Sequence, residues 1–203
     1  MVKPGPGKGL TFILLCSLLI WALGMRMTTV GKSPDYAIKA AAAAKAIQAQ
    51  KIIGARLLGE EYTLITTTLA PYKAKILSQN PDFAAVAVHL LTAAGVRPGD
   101  RVAVNLSGSF PALNIAVIAA IDAIGARPVI TSSVGSSTWG ANRPDYTWLD
   151  MEQTLLDNHL WPWRSAAASL GGEGDQGGGM FPEGEQLAGQ ALLRSGVAPI
   201  GAR

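Results

Sequence analysis

The sequence predicts an α/β fold in which an N-terminal membrane helix precedes a parallel βαβ-type sheet domain. Three observations predict it: an uncharged apolar run near the N-terminus, short β-branched runs that alternate with helical ones, and glycines that end the helical runs. Apolar residues make up 49% of the 203 residues, enough for one core of ordinary domain size. We expect a membrane anchor over 1–26, a linker over 27–33 and an α/β domain over 34–203.

The N-terminal apolar run extends from Leu10 to Met25 without a charged residue. It is slightly shorter than a usual span of about 17–25 residues, and a tilted helix that includes Gly9 makes up the difference. A cleaved signal peptide and a buried core helix are the alternatives, but bulky residues stand where a signal cleavage site needs small ones. We expect a single-pass anchor in the cell membrane. Basic residues flank both ends, so the short N-terminal tail is what favours an extracytoplasmic main domain.

Charge and cysteine content exclude several classes of protein. The formal net charge is +3 and the basic residues are scattered, so we expect no nucleic-acid binding. The single cysteine, Cys16, lies in the apolar run, so the chain has neither an intrachain disulfide nor a Cys/His zinc motif. The sequence contains no P-loop lysine motif, and we expect neither a metal nor a cofactor.

The predicted α/β domain begins with a helix. Ser33 and Pro34 are typical of a helix start, and the alanine-rich run that follows continues as helix to about Leu58. This helix is either a stalk that leaves the membrane or the first packed helix of the domain. The threonine-rich run 62–70 forms a strand or a loop, and the run 80–95 forms a helix that a glycine ends.

From residue 101 onward, predicted strands and helices alternate. The predicted strands are RVAVNL, RPVITSS and AAASLGG, and the predicted helices are PALNIAVIAAIDAIG, TWLDMEQTLLDNHL and PEGEQLAGQALLRSG. This order is typical of βαβ units in a parallel sheet. The final GVAPIGAR begins like one more strand, so we expect the domain to be incomplete at its C-terminus or to end in an edge stub.

Ligands of parallel sheets bind beyond the carboxyl ends of the strands, where three loops of this chain fall. The first holds Ser107, Gly108 and Ser109 before a proline-led helix start. Its serines can cap that helix, bind an anion or carboxylate with the helix amides, or act as a nucleophile, and Gly108 lets a ligand approach the backbone. The flanking glycines of a nucleophile elbow are missing. A Ser–His–Asp set with His89 or His159 stays open, although both histidines sit beside leucines on helical patterns.

The second loop, TSSVGSSTWGANRPDY, is rich in hydroxyl groups. Arg143 can form a bidentate ion pair with a carboxylate, and Trp139 can close over a ligand. An ordinary surface loop is the alternative, but loops of this length are often functional. The candidate ligand-binding residues in this loop are Ser132, Ser133, Ser136, Ser137 and Arg143.

The third loop, GEGDQGGGM, contains a literal G-x-G-x-x-G match. A dinucleotide site needs a helix directly after this motif, and here further glycines intervene. Its two acidic residues also repel a pyrophosphate. We expect a loop or lid over the crevice, whose acids can hold a cation or a basic group, formed by Gly172, Glu173, Gly174 and Asp175.

The block LSGSFPALNIAVIAAIDAIGARPVITSSVGSSTWGANRPDYTWLDME resembles the poly-gamma-glutamate system proteins of bacteria. The N-terminal anchor and the GGEGDQGGG loop extend this resemblance over most of the chain. Chains of that family usually continue beyond the point where this one stops. The resemblance implies a membrane-anchored accessory protein of poly-gamma-glutamate synthesis and export, with the synthase and export components as partners. It implies no catalytic residue.

Three functional hypotheses follow. The first is a non-enzymatic accessory protein that binds carboxylates of the polymer in the Ser/Gly-rich crevice. The second is a membrane-anchored serine hydrolase or transferase that acts on the polymer through Ser107 or Ser109. The third is a generic anion-binding scaffold domain.

Overall fold

A computed structural model describes residues 35–200. They form a mixed α/β fold around a four-stranded parallel sheet, which confirms the predicted α/β class and the predicted parallel sheet. The predicted anchor and linker lie outside the described residues. Within 35–200, none of the helices combines the length and apolarity that a membrane crossing requires.

The main sheet has the strand order β2–β3–β7–β8, and all of its pairs are parallel. Two smaller sheets accompany it: β1 pairs with β4 in parallel, and β5 pairs with β6 in antiparallel fashion. The strands are β1 (Thr66–Thr68), β2 (Arg101–Ser107), β3 (Arg127–Ser133), β4 (Ser136–Ser137), β5 (Asn142–Arg143), β6 (Tyr146–Thr147), β7 (Ser165–Ser169) and β8 (Ala198–Pro199).

Six α-helices are described. A short 3-10 helix, Gly54–Leu57, continues the first of them, so the predicted end near Leu58 is confirmed. The helices are α1 (Tyr36–Ile53), α2 (Tyr72–Ser78), α3 (Phe83–Ala93), α4 (Pro111–Ile124), α5 (Trp148–Asp157) and α6 (Pro182–Ser195). Of these, α2 was not predicted from the sequence.

Helix α4 forms the centre of the core. Ile115, Ile118 and Ile121 are completely buried, and each contributes about 1.5–3 kcal/mol through the burial of its side chain. Pro111 begins the helix, and Gly125 ends it in the left-handed conformation at φ 80°. Because local residues determine both ends of the helix, it lies where the sequence predicted it.

Helix α5 is fixed at its start by a capping box. The Thr147 amide donates to Asp150 Oδ2 at 2.7 Å, and the Thr147 side chain accepts from the amide of the third helical residue. Arg194 of α6 reaches the same carboxylate at 2.9 Å, and this hydrogen bond raises the pKa of Arg194. The two helices that follow β3 and β7 are therefore joined at this carboxylate.

The last strand, β8, consists of two residues at the edge of the sheet. Ala198 and Pro199 lie beside Ala167 and Ala168 of β7, and the Ile200 amide donates to the Ala168 carbonyl at 2.8 Å. A short edge strand therefore forms where the sequence predicted the beginning of one more strand.

Candidate functional site

A cavity of about 510 Å³ lies at the carboxyl ends of β2 and β3. Its walls come from the segment after β2, the start of α4, the β3–β4 turn, β1 and the glycine-rich loop after β7. The lining residues are Thr67, Thr68, Asn105, Leu106, Ser107, Ser109, Phe110, Leu113, Asn114, Ser133, Gly135, Gly172 and Asp175. Parts of all three predicted loops therefore meet at one place, as the parallel sheet requires.

The two serines after β2 are held by their own hydrogen bonds. Ser107 Oγ accepts from the Ser109 amide at 3.2 Å, and the Ser107 carbonyl accepts from Asn114 Nδ2 at 2.8 Å. Ser109 Oγ accepts from the Ser137 amide at 3.0 Å. The residue that caps α4 is Phe110, which has no side-chain cap bond, so the interpretation of Ser109 as a cap of its own helix is wrong.

The start of α4 adds an electropositive element to the cavity. Pro111 has no amide hydrogen, and the Leu113 and Asn114 amides donate to the Phe110 carbonyl at 3.0 and 3.1 Å, so the helix start contributes mainly the partial positive charge of the helix dipole. Phe110 and Leu113 contribute apolar surface beside the helix start. The combination is chemically suited to an anionic group that carries an apolar chain.

Gly108 has a packing role in this arrangement. A Cβ atom at this position would lie 3.0 Å from the Val134 carbonyl oxygen and 3.1 Å from Ser136 Cβ. The Gly108 carbonyl also accepts from the Ala141 amide at 2.7 Å. The close approach that needs this glycine is therefore to the β3–β4 segment, and the expected close approach of a ligand is not what requires it.

The serines of the second loop are divided between the cavity and the core. Ser133 lines the cavity, whereas Ser136 and Ser137 are buried in β4, which pairs with β1. Ser132 is buried too, and its Oγ lies 2.6 Å from Ser165 Oγ. The structure does not support the predicted binding role of the three buried serines, because their hydroxyls are inaccessible to a ligand.

Glu152 completes the network beneath Ser132. Its Oε1 accepts from Ser165 Oγ at 2.9 Å, and its Oε2 accepts from the Ser165 amide at 3.1 Å. Burial raises the pKa of this carboxyl, and the hydrogen bonds from Ser165 partly offset the rise. The network joins α5, β3 and β7 inside the core and has no access to the cavity.

Arg143 and Trp139 do not line the 510 Å³ cavity, contrary to the roles predicted for them. The Arg143 guanidinium lies 3.3 Å from Glu60 and 3.5 Å from Asp145, on β5. Trp139 packs edge-on against Tyr72 of α2, with ring centroids 4.9 Å apart. The short strands β4 to β6 fold this part of the loop away from the sheet edge.

The glycine-rich loop is closed by backbone hydrogen bonds. The Gly177 amide donates to the Gly171 carbonyl at 2.7 Å, and the Glu173 amide donates to the Gly178 carbonyl at 3.0 Å. Asp175, at φ 59°, accepts from Ser169 Oγ at 2.9 Å through Oδ1 and lines the cavity. The loop is thereby fixed to the end of β7 and places one carboxylate in the cavity.

Sequence reasoning missed Lys75, a buried cation on α2. Its side chain is 1% exposed, its Nζ donates to the Ser109 carbonyl and, at 2.6 Å, to Ser137 Oγ, and it lies 3.7 Å from the centre of the Phe110 ring. Burial lowers the pKa of Lys75 to about 8. Nothing in the run YKAKILS separates this lysine from the exposed Lys73, because only the packing of α2 decides which one is buried.

Neither histidine is placed beside a serine of the cavity. His89 is exposed on α3, and His159 lines a separate cavity of about 270 Å³ with the Lys45–Asp122 ion pair and Trp161. Within residues 35–200, no histidine side chain takes part in a hydrogen bond, and no three potential metal ligands lie together. The described residues therefore contain no Ser–His pair.

No protein-family model, curated protein or solved structure matches the chain.

Proposed function

We propose that this protein is a membrane-anchored accessory component of poly-gamma-glutamate synthesis and export that binds the polymer in the 510 Å³ cavity. One observation carries the proposal: the Ser107, Ser109 and Ser133 side chains line the cavity beside the first turn of α4. Hydroxyl groups and a helix N-terminus are both suited to carboxylates. The membrane location and the synthase and export partners rest on the apolar N-terminal run and on the family resemblance.

The repeat of the polymer matches the other groups of the cavity. Each γ-linked unit carries one carboxylate, one secondary amide and two methylene groups. The carboxylate accepts hydrogen bonds from the serine hydroxyls near the positive end of the α4 dipole, whereas the amide N–H of the polymer donates to the side-chain oxygens of Asp175 and Asn105. Phe110 and Leu113 contact the methylenes. The Asp175 carboxylate in the cavity therefore orients the polymer by accepting from its amide N–H.

No specific observation favours the hydrolase alternative. Lys75 and Ser137 are close enough to suggest a serine–lysine pair, but they are 1% and 4% exposed and neither lines the cavity. A nucleophile has to reach its substrate. The pair is therefore structural in this conformation.

The test is titration of the full chain in detergent with poly-gamma-glutamate, using polyaspartate of equal length as the charge-matched control. Binding that prefers poly-gamma-glutamate supports the proposal, and equal binding of both polymers supports the generic anion-binding scaffold instead. The length of the polymer is measured before and after incubation. Shortening of the polymer would establish the hydrolase alternative.

Variants locate the binding site. Ser107→Ala with Ser133→Ala removes two donors from the cavity, and we expect affinity to fall about tenfold, or about 1.4 kcal/mol. Arg143→Ala is the matched control, because this arginine was predicted to bind the ligand but lies outside the cavity. Loss of binding in the control and not in the serine variant would overturn the proposed site.

A further inference from the structure

Within residues 35–200, one face of the four-stranded sheet is exposed along β2 and β3. Side chains alternate between the two faces of a strand, and on β2 the exposed set is Arg101, Ala103 and Asn105. Their neighbours in register on β3 are Arg127, Val129 and Thr131, and the first two are exposed as well. We call this surface the open face. Parallel sheets are generally covered on both faces, so an uncovered face is the surface on which we look for a partner.

Two arginines lie side by side at the amino-terminal end of the open face. Arg101 and Arg127 are partners in register, and both are exposed. Within residues 35–200, neither guanidinium forms an ion pair or a hydrogen bond, and the adjacent Asp100 carboxylate accepts from the Arg97 amide instead. Like charges directly opposite each other destabilise a sheet. A bound anion would relieve that repulsion.

The open face leads directly into the 510 Å³ cavity. Asn105, Ser107 and Ser133 belong to the same face by alternation, and all three line the cavity. Six residue steps along β2 separate Arg101 from Ser107, which is about 20 Å of strand. The surface between them carries no acidic side chain and consists of small, apolar and amide groups. A cationic pair and a hydroxyl-lined cavity thus lie at the two ends of one strip of exposed sheet surface.

We propose that the open face is a track for an extended polycarboxylate chain, with Arg101 and Arg127 binding a carboxylate about 20 Å from the cavity. The inference rests on the proposed function, since the same chain occupies the cavity. A γ-linked glutamate unit is about 6 Å long from standard bond lengths, so three to four units bridge the two sites. Charge complementarity favours a polycarboxylate, and the distance of about 20 Å between the arginines and the cavity requires an extended chain.

The test compares γ-linked glutamate oligomers of two lengths on the full chain in detergent. A dimer fills the cavity but cannot reach the arginines, whereas a hexamer is long enough to occupy the cavity and the arginine pair together. We expect the hexamer to bind about tenfold more tightly than the dimer. We expect Arg101→Glu with Arg127→Glu to abolish this gain and to leave dimer affinity unchanged. Arg101→Gln with Arg127→Gln gives the same direction with less electrostatic disturbance.

The matched control is Lys51→Glu with Lys73→Glu, which makes the same change of net charge at exposed residues on α1 and α2. We expect this control to keep the gain of the hexamer. The track would be overturned if the arginine variants kept the gain, or if dimer and hexamer bound the wild type equally well. In either case, dimer binding that depends on the serines would leave the proposed function standing. Failure of both oligomers to bind would overturn both.

Two further results identify a different occupant and overturn the track. Duplex DNA of equal charge that displaces the hexamer would make the open face a surface for nucleic acid. A change of oligomeric state in the arginine variants, measured by light scattering, would make it an interface between copies of the chain.

Discussion

Lys75 Nζ and Ser137 Oγ lie 2.6 Å apart, and both residues are almost completely buried. This contact joins α2 to β4. The same ammonium also donates to the Ser109 carbonyl and lies over the Phe110 ring, and these two residues line the cavity. One buried cation therefore holds the segment after β2 in place.

Replacing this cation will destabilise the fold. Lys75→Met keeps most of the side-chain volume but leaves the Ser109 carbonyl and the Ser137 hydroxyl without their donor. We expect the free energy of unfolding to fall by about 3 kcal/mol, measured by urea denaturation. Lys73→Met is the control on the same helix, and because Lys73 is exposed we expect a change within about 0.5 kcal/mol. Equal effects of the two substitutions would contradict the structural role.

The lowered pKa of Lys75 gives its contribution a pH dependence. Below pH 8 this lysine is charged in both folded and unfolded chains. Between about 8 and the ordinary value of 10.5, the unfolded chain holds a proton that the folded chain has lost, so stability rises with pH. We expect wild type to gain up to about 3 kcal/mol relative to Lys75→Met over this window. A constant difference between the two proteins would show that the pKa is not lowered.

Glu152 has the opposite dependence. Its pKa is raised by burial, so its contribution to stability is full below the ordinary value of 4.5 and is lost as pH rises through the folded-state pKa. Glu152→Gln removes this dependence, and we expect the variant to gain stability relative to wild type as the pH rises above 4.5. The control is Glu183→Gln, at an exposed position on α6. If the free energy of unfolding had the same pH dependence in wild type and in Glu152→Gln, the raised pKa of Glu152 would be refuted.

The glycine-rich loop offers a pair of substitutions that differ in one respect. Gly172 and Gly174 both have positive φ, at 76° and 68°, so alanine strains the backbone at each by about 1 kcal/mol. At Gly172 a Cβ would also lie 2.2 Å from the Gly178 carbonyl oxygen, whereas at Gly174 it meets nothing within 4 Å.

We therefore expect Gly172→Ala to lower the melting temperature by several degrees more than Gly174→Ala. Binding of poly-gamma-glutamate should weaken in the same variant, since Gly172 and Asp175 line the cavity. Thermal denaturation and titration of both variants check this. Identical behaviour would mean that the loop opens freely.

The regular part of the fold was predictable because its signals are local. Pro111 and Gly125 mark the ends of α4, and Pro182 and Gly196 mark those of α6 in the same way. The alternation of strand and helix then implied parallel pairing and the meeting of three loops at one edge. Ser107, Ser109, Ser133, Gly172 and Asp175 do meet there.

The remaining site residues were beyond local signals. Arg143 was assigned to the crevice because it follows β3 in sequence, but three short strands carry it to Glu60 instead. Helix α2 has seven residues, too few for a clear apolar period, so its buried lysine was not foreseen.

The sequence by itself determined the order of the main-sheet strands and of the helices that connect them, their parallel pairing and the edge at which the three loops meet, because capping residues, glycines and β-branched runs fix local structure within a few residues. Only the tertiary structure decided which hydroxyls face the cavity, which lysine is buried and which arginines stand in register on the open face. Those properties depend on contacts between segments far apart in the chain, where packing and desolvation of the whole fold set the outcome.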